Sequence, residues 1–460
     1  MKKLGYILLL LFPVVAFAQQ PCYKSSPLEY AWKNVGNAGF SAGMVFETSL
    51  AFSPSGQPYV AFMDDGDSTK VRVMKFDGNS WVNVGNAGLP YGLVYGTSLA
   101  FSPSGEPYVA FLDALNYQKA TVMKYDGTNW VYVGNAGFSA AEAWFTSLAF
   151  SPSGQPCVAY EDYGNSQKAT VMEFNGSSWV NVGNAGFSAG EADSISLAFS
   201  PSGQPYVVYT DSVKSWKATV MKYDGTHWVN VGNAGFSAGA ANFTSLAFGP
   251  SDQPYVAFKD YGNSKKATVM EFNDTNWVYV GNAGFSEGEA DFTSLAFSPS
   301  GQPYVAYTDG GNGGKASVMK YDGTNWGYFG NAGFSEGAAV YFSLAFSPFG
   351  NPYVSYADVA NYQKATVMKY DSVYFGINET NESGFSLYPN PAKDKCKVHC
   401  AKCNIKNIQI FNLTGEKVYG ADITSGTDNA VELDLDFPAG IYFVKVMDEN
   451  GMSVQKLVVE

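Results

Sequence analysis

Seven aspartates stand 49 residues apart, at Asp64, Asp113, Asp162, Asp211, Asp260, Asp309 and Asp358, and each is followed six residues later by a lysine, from Lys70 to Lys364. A ring of carboxylates at one end of a repeat array could hold calcium or a basic ligand. A turn-starting aspartate paired with the lysine across its own hairpin accounts for the same spacing without a ligand, and the one-to-one matching favours it. An exposed pair of that kind is worth only about 0.2–1 kcal/mol. Asp64-Asp65-Gly66-Asp67 is the best local calcium candidate, but it lacks the terminal bidentate carboxylate of a calcium loop. No cofactor is therefore expected, with calcium as the alternative.

Catalytic chemistry finds little support. The chain has one arginine, Arg72, and two histidines, His227 and His399. A sialidase would clamp its substrate carboxylate with several arginines. The Asp-Gly-Thr-Asn-Trp turn resembles the sialidase Asp-box but is one residue short between Asp and Trp. A Ser-His-Asp site needs a histidine base, and His227 occupies a turn position where other repeats carry Asn or Ser. No repeat shows the isolated acidic pair of a glycosidase on an apolar background. A glycoside hydrolase or lyase is thus the weaker alternative to a protein that binds without turnover.

Binding chemistry is better placed. Seven of the nine tryptophans recur every 49 residues; Trp144 and Trp216 do not. Both fall in segments that differ between repeats, in adjacent repeats and on one expected face, where exposed aromatic rings serve sugar or protein contact. The variable segments Glu142-Ala-Trp-Phe145, Glu191-Ala-Asp-Ser194 and Glu289-Ala-Asp-Phe292, with their counterparts, suggest recognition on a constant scaffold. The ligand-binding candidates are Trp144, Trp216, Glu142, Asp193, Asp291, Tyr95 and Tyr341. The expected ligand is a glycan, or a surface protein in an adhesion role.

The elements that carry these residues follow from the repeat. Trp-Val-Tyr-Val-Gly-Asn-Ala-Gly-Phe at 130 has near-copies at Trp32, Trp81, Trp179, Trp228, Trp277 and Trp326, a step of 49 residues with no insertion. Within the unit, Ser98–Phe101 reads as a strand and Ser102-Pro-Ser-Gly105 as a turn. Pro107–Phe111 and Lys119–Tyr125 are further strands, and Asp126-Gly127 marks a hairpin into a fourth strand from Trp130. Both faces of these strands are apolar, so the sheets must be covered on both sides. Stacking them around an axis does that, which predicts an all-β, seven-bladed β-propeller. The array is entered on a Trp strand and left on a third strand. The simplest closure puts Trp32–Val35 into the last blade, which removes the sheet edge that would otherwise be exposed; a monomer is expected.

Residues 1–18 read as a signal peptide: Lys2 and Lys3, an apolar run to Val15, then Ala16-Phe17-Ala18. That run is too short to span a bilayer, and no other segment could. A net charge of −13 disfavours nucleic acid and anionic membrane, both of which need a basic footprint. The expected division is a propeller over 19–372, a linker over 373–385 and a small β-sandwich over 386–460. The last segment carries Tyr388-Pro389-Asn390-Pro391, Ile410-Phe411-Asn412, Pro438-Ala-Gly440-Ile441-Tyr442 and a terminal Lys456-Leu-Val-Val-Glu460. These motifs, in order, resemble the type A C-terminal sorting domain of the type IX secretion system of Bacteroidetes. The resemblance implies handling by that machinery, passage through the periplasm and across the outer membrane, and surface attachment or release. Cys396, Cys400 and Cys403 depart from the family pattern. With His399 they have ligand-like spacing, but a disulfide plus one thiol fits an oxidising compartment better than zinc, so no metal is expected. Cys157 stands where the other six repeats have tyrosine.

Overall fold

The computed structural model describes residues 29–373 other than 68, 86–88 and 90–95, and residues 385–460 other than 401–404, 413–415, 424–429 and 448–451. The signal peptide, Cys22, Tyr95, most of the linker and Cys403 lie outside the described residues. Two compact units emerge, one over Tyr30–Asp371 and one over the C-terminal residues from Ser372.

The first unit is a ring of seven four-stranded antiparallel sheets. Blade 3 serves as the pattern: inner strand Ala143–Phe150, then Pro156–Asp162, Lys168–Phe174 and the short outer strand Trp179–Asn181. In blade 7 the outer place is taken by Glu29–Asn34, paired beside Lys364–Val373, so the ring closes through its N-terminal strand as the phase of the repeat requires. Each core cluster combines the second and third strands of one blade with the inner strand of the next. That is why both strand faces are apolar: each is the neighbour of another sheet.

Two devices repeat at every blade boundary and a third at six of the seven. The serine of Ser-Leu-Ala-Phe accepts the N–H of the following blade's leucine, from Leu99 on Ser49 at 2.9 Å round to Leu50 on Ser343 at 3.0 Å, which closes the circle. The indole N–H of each periodic tryptophan donates to a carbonyl in the preceding crossing, as Trp179 does to Val133 at 2.7 Å. At six boundaries its ring stacks on the phenylalanine of that crossing, with Phe138 and Trp179 centroids 4.1 Å apart; the crossing before Trp130 has Leu89 in that place. The loudest stretch of the sequence is thus a boundary staple.

The inner strands differ from expectation. Ser-Leu-Ala-Phe is the second half of an eight-residue strand in six blades, whose first half holds the segments read above as variable loops. A β-bulge separates the halves: Trp144 pairs with Glu161, while Ser147 pairs with Ala159, leaving Phe145 and Thr146 opposite a single residue. Bulges bend a strand and re-aim side chains, and the alternation rule fails across them.

The C-terminal unit packs a three-stranded sheet (Ser386–Tyr388, Lys395–His399, Ala430–Asp434) with a four-stranded one ordered Lys417–Asp422, Asn407–Asn412, Gly440–Met447, Met452–Val459. Their inward residues, among them Val398, Ile408, Ile410, Leu433, Val444 and Leu457, form one core.

Candidate functional site

The seven aspartates do not form an open acidic ring. Each lies at the end of its second strand, buried, and caps a one-turn helix that forms the loop into the third strand. In blade 3 the Asp162 carboxylate accepts the Gly164 N–H at 2.9 Å, the Asn165 amide at 2.7 Å and the Thr170 hydroxyl at 2.8 Å. Blades 2, 5 and 7 repeat the set, and blade 6 does so with Ser317 in place of threonine. Asp64 in blade 1 takes the N–H groups of Ala42, Gly43 and Gly66 and lies 3.3 Å from Arg72 Nε. These carboxylates are spent within their own blades. The lysines pair with them in backbone register only, as Lys168 does with Asp162, so the expected hairpin ion pair is replaced by an internal cap. A lone carboxylate surrounded by donors serves backbone groups that burial would otherwise leave unpaired.

With the loops held from below, the residues above them are free to differ. In six blades the bulge turns one residue of the inner strand toward the axis, Glu47, Phe145, Ser194, Phe243, Phe292 and Tyr341, and Gly96, two residues before the short inner strand of blade 2, completes the ring. Six are not glycine, yet all six adopt positive φ between 48° and 60°. That conformation costs a phenylalanine or tyrosine about 1–3 kcal/mol, and a threonine hydroxyl of the following blade helps to hold it. Thr48 donates to the Tyr341 carbonyl at 2.7 Å and Thr293 to the Phe243 carbonyl at 2.5 Å; Thr146 and Thr244 donate likewise to Gly96 and Ser194. The seven residues ring the mouth of a cavity of about 450 Å³.

Its wall is uneven. Phe243, Phe292 and Tyr341 form an aromatic arc with centroids 4.5 and 4.8 Å apart. Glu47 also lines the cavity, accepting the N–H groups of Gly96 and Thr97. Burial pushes its carboxyl up to about 7 against the lowering effect of those two donors. The Thr97 hydroxyl, also in the wall, is buried without a partner among the described residues.

The next ring outward carries a second asymmetry. Before the bulge stand Phe46, Trp144, Asp193, Asn242, Asp291 and Val340, and beside them, one residue short of the capping aspartates, Met63, Leu112, Glu161, Thr210, Lys259, Thr308 and Ala357. Blades 3 to 6 are polar in this ring; blades 7, 1 and 2 are apolar. Trp144 is therefore on the innermost strand, not in a loop. Its indole N–H donates to Glu142 at 3.4 Å and its ring lies 6.0 Å from Tyr163. Glu161, only 7% exposed, has its carboxyl pushed up to about 8, first by burial and then by the charges of Asp193 and Glu191. Across blades 5 and 6, the equally buried Lys259 ammonium lies 2.5 Å from Asp291, 3.5 Å from Glu289 and 5.7 Å from the centre of the Tyr261 ring.

Trp216 stands in another layer. It occupies a positive-φ position in the loop joining the second and third strands of blade 4, 40% exposed, and its carbonyl accepts the Ala241 N–H of blade 5. That loop, like the one in blade 1, departs from the other five. Lys214 replaces the usual asparagine, and the second Asp211 oxygen is buried without a hydrogen bond. Of the sequence-derived candidates, Glu142, Trp144, Asp193, Asp291 and Tyr341 belong to the axial face, Trp216 to its rim, and Tyr95 lies outside the described residues. Glu47, Glu161, Lys259 and the axial phenylalanines were not singled out by the sequence. Aligning the seven units column by column would have shown them, because their columns diverge between constant ones.

In the C-terminal unit the motif residues converge. The Asn390 amide donates to the Lys456 carbonyl at 2.7 Å and its oxygen accepts the Val458 N–H at 2.9 Å, clipping Tyr-Pro-Asn-Pro onto the last strand. Tyr442, buried against Phe437, donates to the Pro438 carbonyl at 2.6 Å, which fixes the Gly440-Ile441 entry to its strand. Tyr388, Lys456 and Ile441 are exposed. Cys400 is disulfide-bonded, whereas Cys396 is a buried free thiol. No group of three or more metal-ligating side chains occurs among the described residues.

Residues 386–460 match the secretion system C-terminal sorting domain family. The chain is accordingly handled by the type IX secretion machinery and exported across the outer membrane, to the cell surface or beyond it. No helix among the described residues is long and apolar enough to cross a membrane. No curated protein matches the chain in sequence. Among solved structures it is similar to a protein of unknown function from Dyadobacter fermentans, at 12% identity over 75% of this chain and all of that one, with a TM-score of 0.46. It is similar as well to a PL25 ulvan lyase (10% identity, 74% and 95% coverage, TM-score 0.46). A third is the fucose-specific lectin of Aleuria aurantia (15% identity, 64% and 97% coverage, TM-score 0.44).

Proposed function

We propose that this exported protein, sorted by its 386–460 domain, binds glycan without turning it over, at the axial end of the propeller. The observation that carries the reading is the asymmetry around one cavity. A repeat otherwise held nearly constant departs from itself in the two rings that line and border the axis. Sugar recognition needs an aromatic surface for the C–H face of the ring and polar groups for its hydroxyls. Trp144 with Tyr163 and the arc Phe243, Phe292, Tyr341 offer the first; Asp193, Asn242, Asp291 and Lys259 offer the second. The strained backbone under the axial residues supports a functional origin, since strain of this kind persists where it serves a site.

The whole protein on a glycan array tests the proposal. A defined set of glycans is expected to bind, and Trp144→Ala or Asp193→Ala is expected to lose them with the melting temperature unchanged. A blank array with capture of a surface protein would move the assignment to adhesion. That second reading draws on the rim, where Tyr117 and Tyr362 are 84% exposed and Val213 61%. Release of sugar from any polysaccharide would overturn the non-enzymatic part.

A further inference from the structure

At the other end of the strands, the seven blade boundaries can be compared with one another. In six, a tyrosine at the second position of the second strand fills the gap to the next inner strand. Tyr59 meets Phe101, Tyr108 meets Phe150, Tyr206 meets Phe248, Tyr255 meets Phe297, Tyr304 meets Phe346 and Tyr353 meets Phe52, all edge to face with centroids 4.9–5.0 Å apart. In blade 3 that residue is Cys157. The ring is missing, and a cavity of about 500 Å³ opens between blades 3 and 4, lined by Phe199, Tyr223, Pro152, Pro205, Glu173 and Asn181 among others.

The residue paired across from the tyrosine says what the cavity would accept. In most blades it is lysine, and the ammonium of Lys124, Lys222 or Lys320 lies over the tyrosine ring at 5.7–5.8 Å. In blade 5 it is Glu271, in register with Tyr255, and burial together with that neighbouring carboxylate raises the Tyr255 phenol above its ordinary value. Blade 3 has the same glutamate, Glu173, in register with Cys157. It keeps the acceptor and lacks the phenol. The thiol itself points to no chemistry: burial pushes it up to about 12, so it stays protonated, and it approaches only the Gln155 carbonyl, at 3.8 Å.

We propose that the cavity between blades 3 and 4 is a binding site for a hydroxylated aromatic ring, a free phenol or a tyrosyl side chain. The ring would sit where the sister boundaries place their own tyrosine, edge to face on Phe199, with its hydroxyl donated to Glu173. Because the site lies at the end of the strands away from the axial cavity, it stands or falls independently of the glycan reading.

Titration of the full-length protein with 4-ethylphenol, ethylbenzene and a Gly-Tyr-Gly peptide, read by calorimetry or ligand-observed NMR, tests this. Ethylphenol is expected to bind about tenfold more tightly than ethylbenzene, as a hydrogen bond to a charged acceptor implies. Cys157→Tyr restores the residue used by the other six boundaries; it is expected to abolish binding and raise the melting temperature. Glu173→Leu is expected to erase the preference for the hydroxyl. Tighter binding of the peptide than of ethylphenol assigns the occupant to a partner's tyrosine, and the reverse assigns it to a small phenol. Equal binding of ethylphenol and ethylbenzene, or binding unchanged in Cys157→Tyr, overturns the proposal.

Discussion

The two ends of the propeller are made by the same strands and obey different rules. At the end of the Asp-Gly turns, the carboxylate that holds the turn is on the surface. Asp126 accepts the N–H groups of Thr128 and Asn129 in the open, and its counterparts Asp77 and Asp224 do the same. Those donors hold all three carboxyls below the usual carboxylate range. Residue choice there is bound by backbone geometry, so the units stay alike. At the axial end the corresponding work is done one layer down, by the buried capping aspartates. The side chains above them do not hold the loops, and it is there that the units diverge. A fixed sublayer is what allows a variable surface.

Breaking that sublayer should have the largest effect. Asp162→Ala leaves the Gly164 N–H, the Asn165 amide and the Thr170 hydroxyl without their common acceptor, at an expected cost of about 2–4 kcal/mol in denaturant unfolding. A cost below about 1 kcal/mol, small against the loss of a buried acceptor, would mean the loop is held by something else. Lys259→Met comes next. It strands Asp291 and Glu289, but both reach solvent, so the expected loss is about 1–2 kcal/mol rather than the larger penalty of a fully buried broken pair.

A smaller effect separates the ends by pH. Glu161 and Glu47 have carboxyls raised in the folded state to about 8 and about 7, so the folded protein binds their protons more tightly than the unfolded chain does. Their penalty is absent below the ordinary carboxylate range and grows as pH rises through the raised values. The melting temperature is expected to fall from about pH 4.5 to about pH 8 and to level off above it, and Glu161→Gln to flatten that fall; an unchanged slope would remove Glu161 as its source. Asp126→Ala, at the exposed end, should give the smallest change in the unfolding midpoint. A loss matching that of Asp162→Ala would erase the contrast between the two ends.

Much of the fold was legible because it is periodic. A step of 49 residues, two apolar strand faces and the entry on a Trp strand implied seven blades and closure by the N-terminal strand, as the sheet order of Glu29–Asn34 beside Lys364–Val373 bears out. The sorting domain was legible from motifs whose residues the fold brings together, with Asn390 clipped to the strand of Lys456. The site was legible in part. Trp144, Asp193 and Asp291 stood out by composition, but reading their segments as loops hid the bulge, and with it the axial ring. Glu161 and Lys259 sit next to the repeated aspartates and were overshadowed by them.

By itself the sequence determined the repeat, the turns and the export route, because these rest on local spacing and on motifs contiguous in the chain. Only the tertiary structure decided which columns of the repeat face the axis, which carboxylates are buried caps and which remain chemically free. Bulge geometry, burial and cross-blade neighbours set those properties, and each depends on residues about 49 positions away. The same dependence turns Cys157 from a single substitution into a cavity, since its size matters only against Phe199 of the next blade.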